Sequence, residues 1–285
     1  MGFGQEFIRG IRRRAFGLTV QRTMRRRMAM LRAQHRRHLE ARDTVPHSPD
    51  KLTIVVPCYG HSKFLRTMVK SIAAQTLPPD EVVFVNDNSP DATVETLEAC
   101  IAEFGLNSRT RCVVVCNEKN LGQAASLNLG IEKATSDVIM VLNDDDYLFH
   151  DAVAVAMKVL RMRSHIHMVG GQCIVFADER YLELFNKELL KVWNVSELPL
   201  KEYHPVDTLK YKRPNDLNIT HSGCSFYKQS WRAVDGYWSE KHKRVISYSD
   251  RDFQLRFNVC FPIAILDVPI SCWRSNSSVD AGINS

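Results

Sequence analysis

The chain has 285 residues, 45% hydrophobic and 9% aromatic, with 38 Lys and Arg against 32 Asp and Glu. That apolar share supports a sizeable core and excludes a disordered chain, a collagen-like repeat and a disulfide-stapled miniprotein. The formal charge of +6 sits at one end: residues 1–42 hold twelve arginines and no lysine against Glu6 and Glu40, whereas the remainder is net acidic, so nothing in the body of the chain predicts a nucleic-acid partner.

Residues 1–50 read as a basic helical arm and linker. No proline precedes Pro46, and Phe7, Ile8, Ile11, Val20, Met24, Met28 and Leu31 recur at three- and four-residue steps, an apolar stripe interrupted near Gly17. Such a helix can lie on an anionic membrane surface, where each basic side chain contributes about 1 kcal/mol. It can equally dock on the body or on a sister subunit, making a homo-oligomer. No apolar run approaches the roughly 18–20 residues that cross a bilayer, and the start has no charged-then-apolar leader, so the expected location is cytoplasmic, with peripheral membrane contact through the arm. The eight cysteines form no C-x-x-C pair and read as buried thiols of a reduced compartment.

The second region, 51–285, has a different pattern. Short β-branched runs at Leu52–Val56, Glu81–Val85, Arg111–Cys116 and Val138–Leu142 alternate with helical stretches at Lys63–Gln75, Ala92–Phe104 and Gly122–Ala134. That alternation predicts βαβ units and a mostly parallel α/β sheet, with ligands beyond the carboxyl ends of its strands. The residues there are Val56-Pro57-Cys58-Tyr59-Gly60, Asn86-Asp87-Asn88-Ser89-Pro90-Asp91 and Asn143-Asp144-Asp145-Asp146.

Tyr59 can stack on a base and Asp87 can accept from a base N–H, although Asp87–Pro90 equally suits a turn and helix N-cap. Three consecutive carboxylates repel unless a cation offsets them. One carboxylate with diphosphate oxygens and waters is the usual way of holding Mg²⁺ or Mn²⁺. In extended chain, Asn143 and Asp145 would face one way and Asp144 and Asp146 the other. The alternative is an acidic loop that caps the following helix, a task for a single carboxylate.

Several segments, in order, resemble the GT-A glycosyltransferases, specifically the inverting family 2, over about residues 52–280. They are Thr53–Gly60, Ser71–Asp91, Asn117–Gly130, Asn143–Asp146 in the place of the D-x-D motif, Val234-Asp-Gly-Tyr-Trp238, and Tyr248-Ser-Asp-Arg-Asp-Phe-Gln-Leu-Arg-Phe257. The resemblance implies a GT-A, Rossmann-like fold and transfer of a sugar from a nucleotide-sugar, most often a UDP-sugar, to a glycan or lipid-linked acceptor. It implies nucleotide contacts by Pro57, Tyr59, Asp87, Asn120, Gln123, Asn143 and Asp144. It further implies a Mn²⁺ or Mg²⁺ contact by Asp145, and a catalytic base at Asp250. His221, Trp238 and Asp252 are further candidates on the acceptor side.

Asp250 also has a local reading. Ser247-x-x-Asp250 and Ser249-x-x-Asp252 both fit a capping box, and two acids two apart on a helix point roughly 200° apart, so only one can face the site. Departures from the family pattern are Asn86, Asn143, Ser249, and Asn276 where a histidine often stands. They favour an alternative, a non-catalytic GT-A-like protein that binds a partner. A nucleotidyltransferase is a further alternative, but Pro57–Gly60 lacks the Gly- and Arg/Lys-rich loop it would normally carry. His165 and His167 read as surface residues, and residues 178–218 as a lid or acceptor-specific insertion.

Overall fold

The computed structural model describes residues 49–180, 182, 199–205, 217, 219–239 and 249–275. The predicted arm, apart from its last two residues, and most of 178–218 lie outside them. The elements are β1 Leu52–Cys58, α1 Ser62–Ala73, β2 Glu81–Asn86, α2 Thr93–Glu103, a 3₁₀ turn Leu106–Ser108, β3 Arg111–Cys116, α3 Gln123–Lys133 and β4 Val138–Val141. There follow β5 Tyr147–Leu148, α4 Ala152–Met162, β6 Met168–Phe176, β7 Leu200–Tyr203, β8 Ser225–Tyr227, α5 Lys228–Ala233, α6 Ser249–Cys260 and β9 Ile263–Arg274.

The described strands form one mixed sheet in the order β3-β2-β1-β4-β8-β6-β9-β5, with β7 also on β9. The first four are parallel, Thr53 opposite Glu81 and Leu52 opposite Val138. The chain winds outward from β1 to β3 and returns to place β4 on β1's other side. That reversal opens a crevice at the carboxyl ends of β1, β2 and β4, where ligands of such sheets bind.

Side-chain alternation splits the apolar strand residues between two cores. Leu52, Ile54, Val56, Val82 and Phe84 pack beneath α1, α2 and α4, while Val55, Val83 and Val85 meet Leu127 and Ile131 of α3 on the other face. Each such buried side chain contributes about 1.5–3 kcal/mol. The approach of α3 is close at Gly130, where an added Cβ would lie 2.5 Å from Val55 Cγ1 and 2.9 Å from Val85 Cγ2.

Some expectations change in three dimensions, while His165 keeps the surface place expected of it. Arg111–Cys116 is an edge strand and only partly covered. His167 is buried, with Nδ1 2.8 Å from Ser230 Oγ and its ring stacked on Phe261, because it leads into a strand covered on both faces. His165 is exposed and pairs with Glu202. Of the eight cysteines, all free thiols, five are buried, Cys112 is half-buried, and Cys116 and Cys173 are exposed.

Candidate active site

The ends of β1, β2 and β4 are tied together by their own polar side chains. Asp87, buried, accepts from Asn117 Nδ2 (2.7 Å) and the Leu121 amide (2.8 Å) through Oδ1, and from the Gly122 amide (2.8 Å) through Oδ2. Three of roughly four lone-pair positions are thus filled, and Asp87 pins the loop leading into α3. Gly122, at φ +82°, adopts a backbone that side-chain-bearing residues rarely reach. Asn120 Oδ1 also accepts from Gly122 N at 3.0 Å. Asp91 Oδ2 takes the Ser62 amide at 2.9 Å, so helix capping in this stretch falls to Asp91. Tyr59 and Leu121 are 40% and 42% exposed, leaving apolar surface at these strand-end loops; Pro57 lies buried in β1.

The acidic segment is a turn. β4 ends at Val141, and the Asp146 amide bonds back to Asn143 O at 3.2 Å. The strand-like alternation expected for residues 143–146 therefore fails. Asp144 and Asp145 fall on one side, with ligand atoms within 4.8 Å of each other and of His61. Asp144 Oδ2 accepts from the Tyr59 amide and Oδ1 from His61 Nδ1, both at 2.9 Å. A carboxylate only accepts, so Nδ1 carries the proton; that hydrogen bond raises the His61 pKa, against the opposing effect of burial. His61 Nε2 is buried without a hydrogen-bond partner.

Asp146 turns away from this trio. It accepts from Ser222 Oγ, from Asn143 Nδ2 (3.1 Å) and from the Arg274 amide (3.1 Å). Burial, with the Asp145 charge adding to it, pushes its pKa up to about 7. Asn143 Oδ1 in turn accepts from Gln123 Nε2 at 3.0 Å, joining the turn to the start of α3. Arg274 donates from Nε to Asp145 O at 3.1 Å, its guanidinium held between the rings of Phe64 and Phe176. Where the family resemblance leads one to look for a histidine after the last strand, the buried group on this turn is Arg274, and the imidazole comes from His61 after β1.

One short segment carries the site across to α6. Ser222, bonded to Asp146, follows His221, whose Nε2 lies 3.1 Å from Tyr237 Oη. Burial lowers the His221 pKa, while the Asp250 charge opposes that and Arg251 reinforces it. Asp250 is half-buried, and no described residue hydrogen-bonds its carboxylate. Asp252, two positions on, is buried and bonded to Arg256 Nε at 2.8 Å. Arg256 also donates to Val234 O (2.5 Å) and Gly236 O (2.6 Å), and its guanidinium lies 4.3 Å from the Trp238 ring centroid. Asp252 and Trp238, offered as acceptor-side candidates, are both engaged with Arg256 inside the fold. They lock α6 to the 234–238 turn, which Asn128 holds on α3 through bonds to both polar backbone atoms of Tyr237.

His61, Ser222 and Arg274 escaped the reading of the sequence. His61 had a usable signal, lying two residues beyond Tyr59 in the same strand-end loop. Ser222 and Arg274 had none, because their roles come from a segment and a strand more than 70 residues away.

A family model for glycosyl transferase family 2 matches residues 53–233. The chain belongs to that family. An uncharacterised glycosyltransferase of Bacillus subtilis, YwdF, is 29% identical over 206 residues, 72% of this chain and 67% of the relative. Pasteurella multocida chondroitin synthase is 31% identical over 124 residues, covering 44% of this chain and 12% of its own. An uncharacterised glycosyltransferase of Rickettsia bellii is matched over 19% of its length. The chain thus spans from under a fifth to about two thirds of these relatives. Among solved structures, Staphylococcus aureus TarS residues 1–349 in complex with UDP superposes with a TM-score of 0.58 at 17% identity, over 81% of this chain and 62% of TarS. A Pyrobaculum calidifontis mannosyltransferase in complex with GDP-Man and Mn²⁺ gives 0.55 at 15% identity, over 90% and 68%. These likenesses establish the GT-A fold.

Proposed function

We propose that the chain is a metal-dependent, inverting glycosyltransferase. It moves a sugar from a nucleotide-sugar, a UDP-sugar first among candidates, to an acceptor hydroxyl in polysaccharide or glycoconjugate synthesis. The observation carrying this reading is that one short segment serves both ends of the site: Ser222 hydrogen-bonds Asp146, and His221 before it feels the charge of Asp250 on α6. Solved neighbours in complex with UDP-GlcNAc and with GDP-Man and Mn²⁺ support a nucleotide-sugar donor.

Asp145 and Asp144, with His61 beside them, have the chemistry to hold Mn²⁺ or Mg²⁺. Two hard carboxylates offer ligand atoms at close range, and an imidazole nitrogen is buried without a partner. A divalent ion there supplies positive charge for the diphosphate oxygen that departs. Tyr59 and Leu121 offer apolar contact to the base, and Asp87 keeps one lone pair free for a base N–H. Asp250 removes the proton of the acceptor hydroxyl as its oxygen bonds to the anomeric carbon and the bond from that carbon to the diphosphate breaks. General-base assistance of this kind contributes about 10²–10⁴ in rate. His221, kept neutral by burial, adds no competing cation beside it.

The test is turnover with UDP-Glc, UDP-Gal, UDP-GlcNAc and GDP-Man, each with Mn²⁺, Mg²⁺ or EDTA. The expected result is donor cleavage that EDTA abolishes. Nucleotide-dependent thermal stabilisation without turnover of any donor would instead identify a binding protein built on the same fold.

A further inference from the structure

Parallel strands β6 and β9 place Cys173 opposite Ser271, and Val175 opposite Trp273. Side chains alternate along a strand, so these four share one face. The other face is closed: Phe176 and Cys272 are buried with Tyr147, Phe149 and Leu182, and Ile174 packs against them. On the first face Ser271 is covered, while Val175 and Trp273 are 56% and 41% exposed. Val175 and Trp273, register partners on adjacent strands, thus put a joined apolar surface in water.

This face borders the site just described. Ser271 Oγ lies 3.4 Å from Thr220 Oγ1, and Thr220 immediately precedes His221 and Ser222. Trp273 is also rigidly placed relative to the acidic turn, because the next residue, Arg274, bonds Asp146 through its amide and Asp145 O through its side chain. The ends of β1 and β2, which would hold the nucleotide, lie on the far side of β4 from this surface. An attacking hydroxyl must approach the anomeric carbon from the side away from the leaving diphosphate.

We propose that Trp273, with Val175 beside it, is the platform on which a pyranose ring of the acceptor stacks, so that the acceptor is a glycan or glycoside. An indole face is apolar and flat, matching the C–H-rich face of a sugar ring, and at 41% exposure it needs little rearrangement to receive one. The proposal rests on the glycosyltransferase reading above, and its test separates the two.

Saturation-transfer NMR with methyl α- and β-glycosides of glucose, galactose, mannose and N-acetylglucosamine, and with cellobiose and chitobiose, reads binding without turnover. It is run with UDP and Mn²⁺ present. Wild-type protein should bind at least one of these; Trp273→Ala should weaken that binding about tenfold or more, and Trp273→Phe should restore most of it. Donor hydrolysis without acceptor, which tests only the enzyme reading, should be equal in all three proteins, as should their melting temperatures. Three results overturn the platform: no glycoside bound by the wild type, equal binding by Trp273→Ala, or loss in Trp273→Ala of sedimentation with anionic vesicles while glycoside binding is kept. Absence of donor hydrolysis in every protein, with Trp273-dependent glycoside binding intact, would refute the enzyme reading and leave the sugar site standing.

Discussion

Asp250 and Asp252 lie two residues apart on one helix, and the structure gives them opposite duties that matched Asn substitutions can separate. Asp252 is 3% exposed and faces Arg256, 1% exposed, at 2.8 Å. At an effective dielectric near 20 their attraction is about 6 kcal/mol, against a desolvation cost of several kcal/mol per ion. Removing one charge while its buried partner remains typically costs about 3–5 kcal/mol. Asp252→Asn should therefore lower stability by about that amount, or roughly 6–20 °C in melting temperature at about 2–4 °C per kcal/mol for a domain of this size. Activity should survive below the transition. Asp250 is half-buried and without hydrogen-bond partners among the described residues, so Asp250→Asn should stay within about 0.5 kcal/mol of wild type. Transfer should fall by about 10²–10⁴ while nucleotide binding is kept. Urea melts, calorimetry and initial rates at 15 °C on both variants provide the comparison. If Asp252→Asn melts like wild type yet loses transfer, or if Asp250→Asn transfers at the wild-type rate, the assignment of roles is wrong.

Four further outcomes follow from the same geometry. Asp144→Asn and Asp145→Asn should each weaken Mn²⁺ binding at least about tenfold by calorimetry, since each removes one anionic ligand; unchanged affinity would place the ion elsewhere. Gly130→Ala should destabilise by about 1–3 kcal/mol in denaturant melts, because its Cβ would press on Val55 and Val85. Brief alkylation of the native protein at pH 7.5, mapped by mass spectrometry, should modify Cys116 first and spare Cys58, Cys100, Cys224, Cys260 and Cys272; Cys173 and Cys112 should react more slowly, burial raising both thiols and pushing Cys112 up to about 11. Deleting residues 1–45 should abolish sedimentation with anionic vesicles if the twelve arginines of the arm act at a membrane, and unchanged sedimentation would remove that role. No helix among the described residues is long and apolar enough to cross a membrane.

Much of the architecture was legible because its signals are local. β-branched runs such as Leu52–Val56 and the helical stretch 63–75 emerged within two or three residues of their predicted ends, since period and propensity act over one element. Gly122 and Gly130 stood in a recognisable segment for reasons that only packing explains, a left-handed backbone at one and a helix pressed on two valines at the other. The acidic run at 143–146 was visible as chemistry, but its geometry was misread, because nothing local announced that the strand stops at Val141 and turns.

Strand and helix periodicity by itself pointed to a parallel-type α/β chain with polar residues gathered at the ends of three strands, and motif order added the resemblance to family 2. The division of labour among those residues needed the tertiary structure. It sends Asp144 and Asp145 towards His61 and Asp146 towards Ser222, and it commits Asp252 to Arg256 while leaving Asp250 open. It also exposes Trp273 on the strand whose next residue grips the turn. Alternation and propensity act within a single element, whereas a carboxylate's role is set by which distant donors and cations the folded chain brings to it, and how far they exclude water.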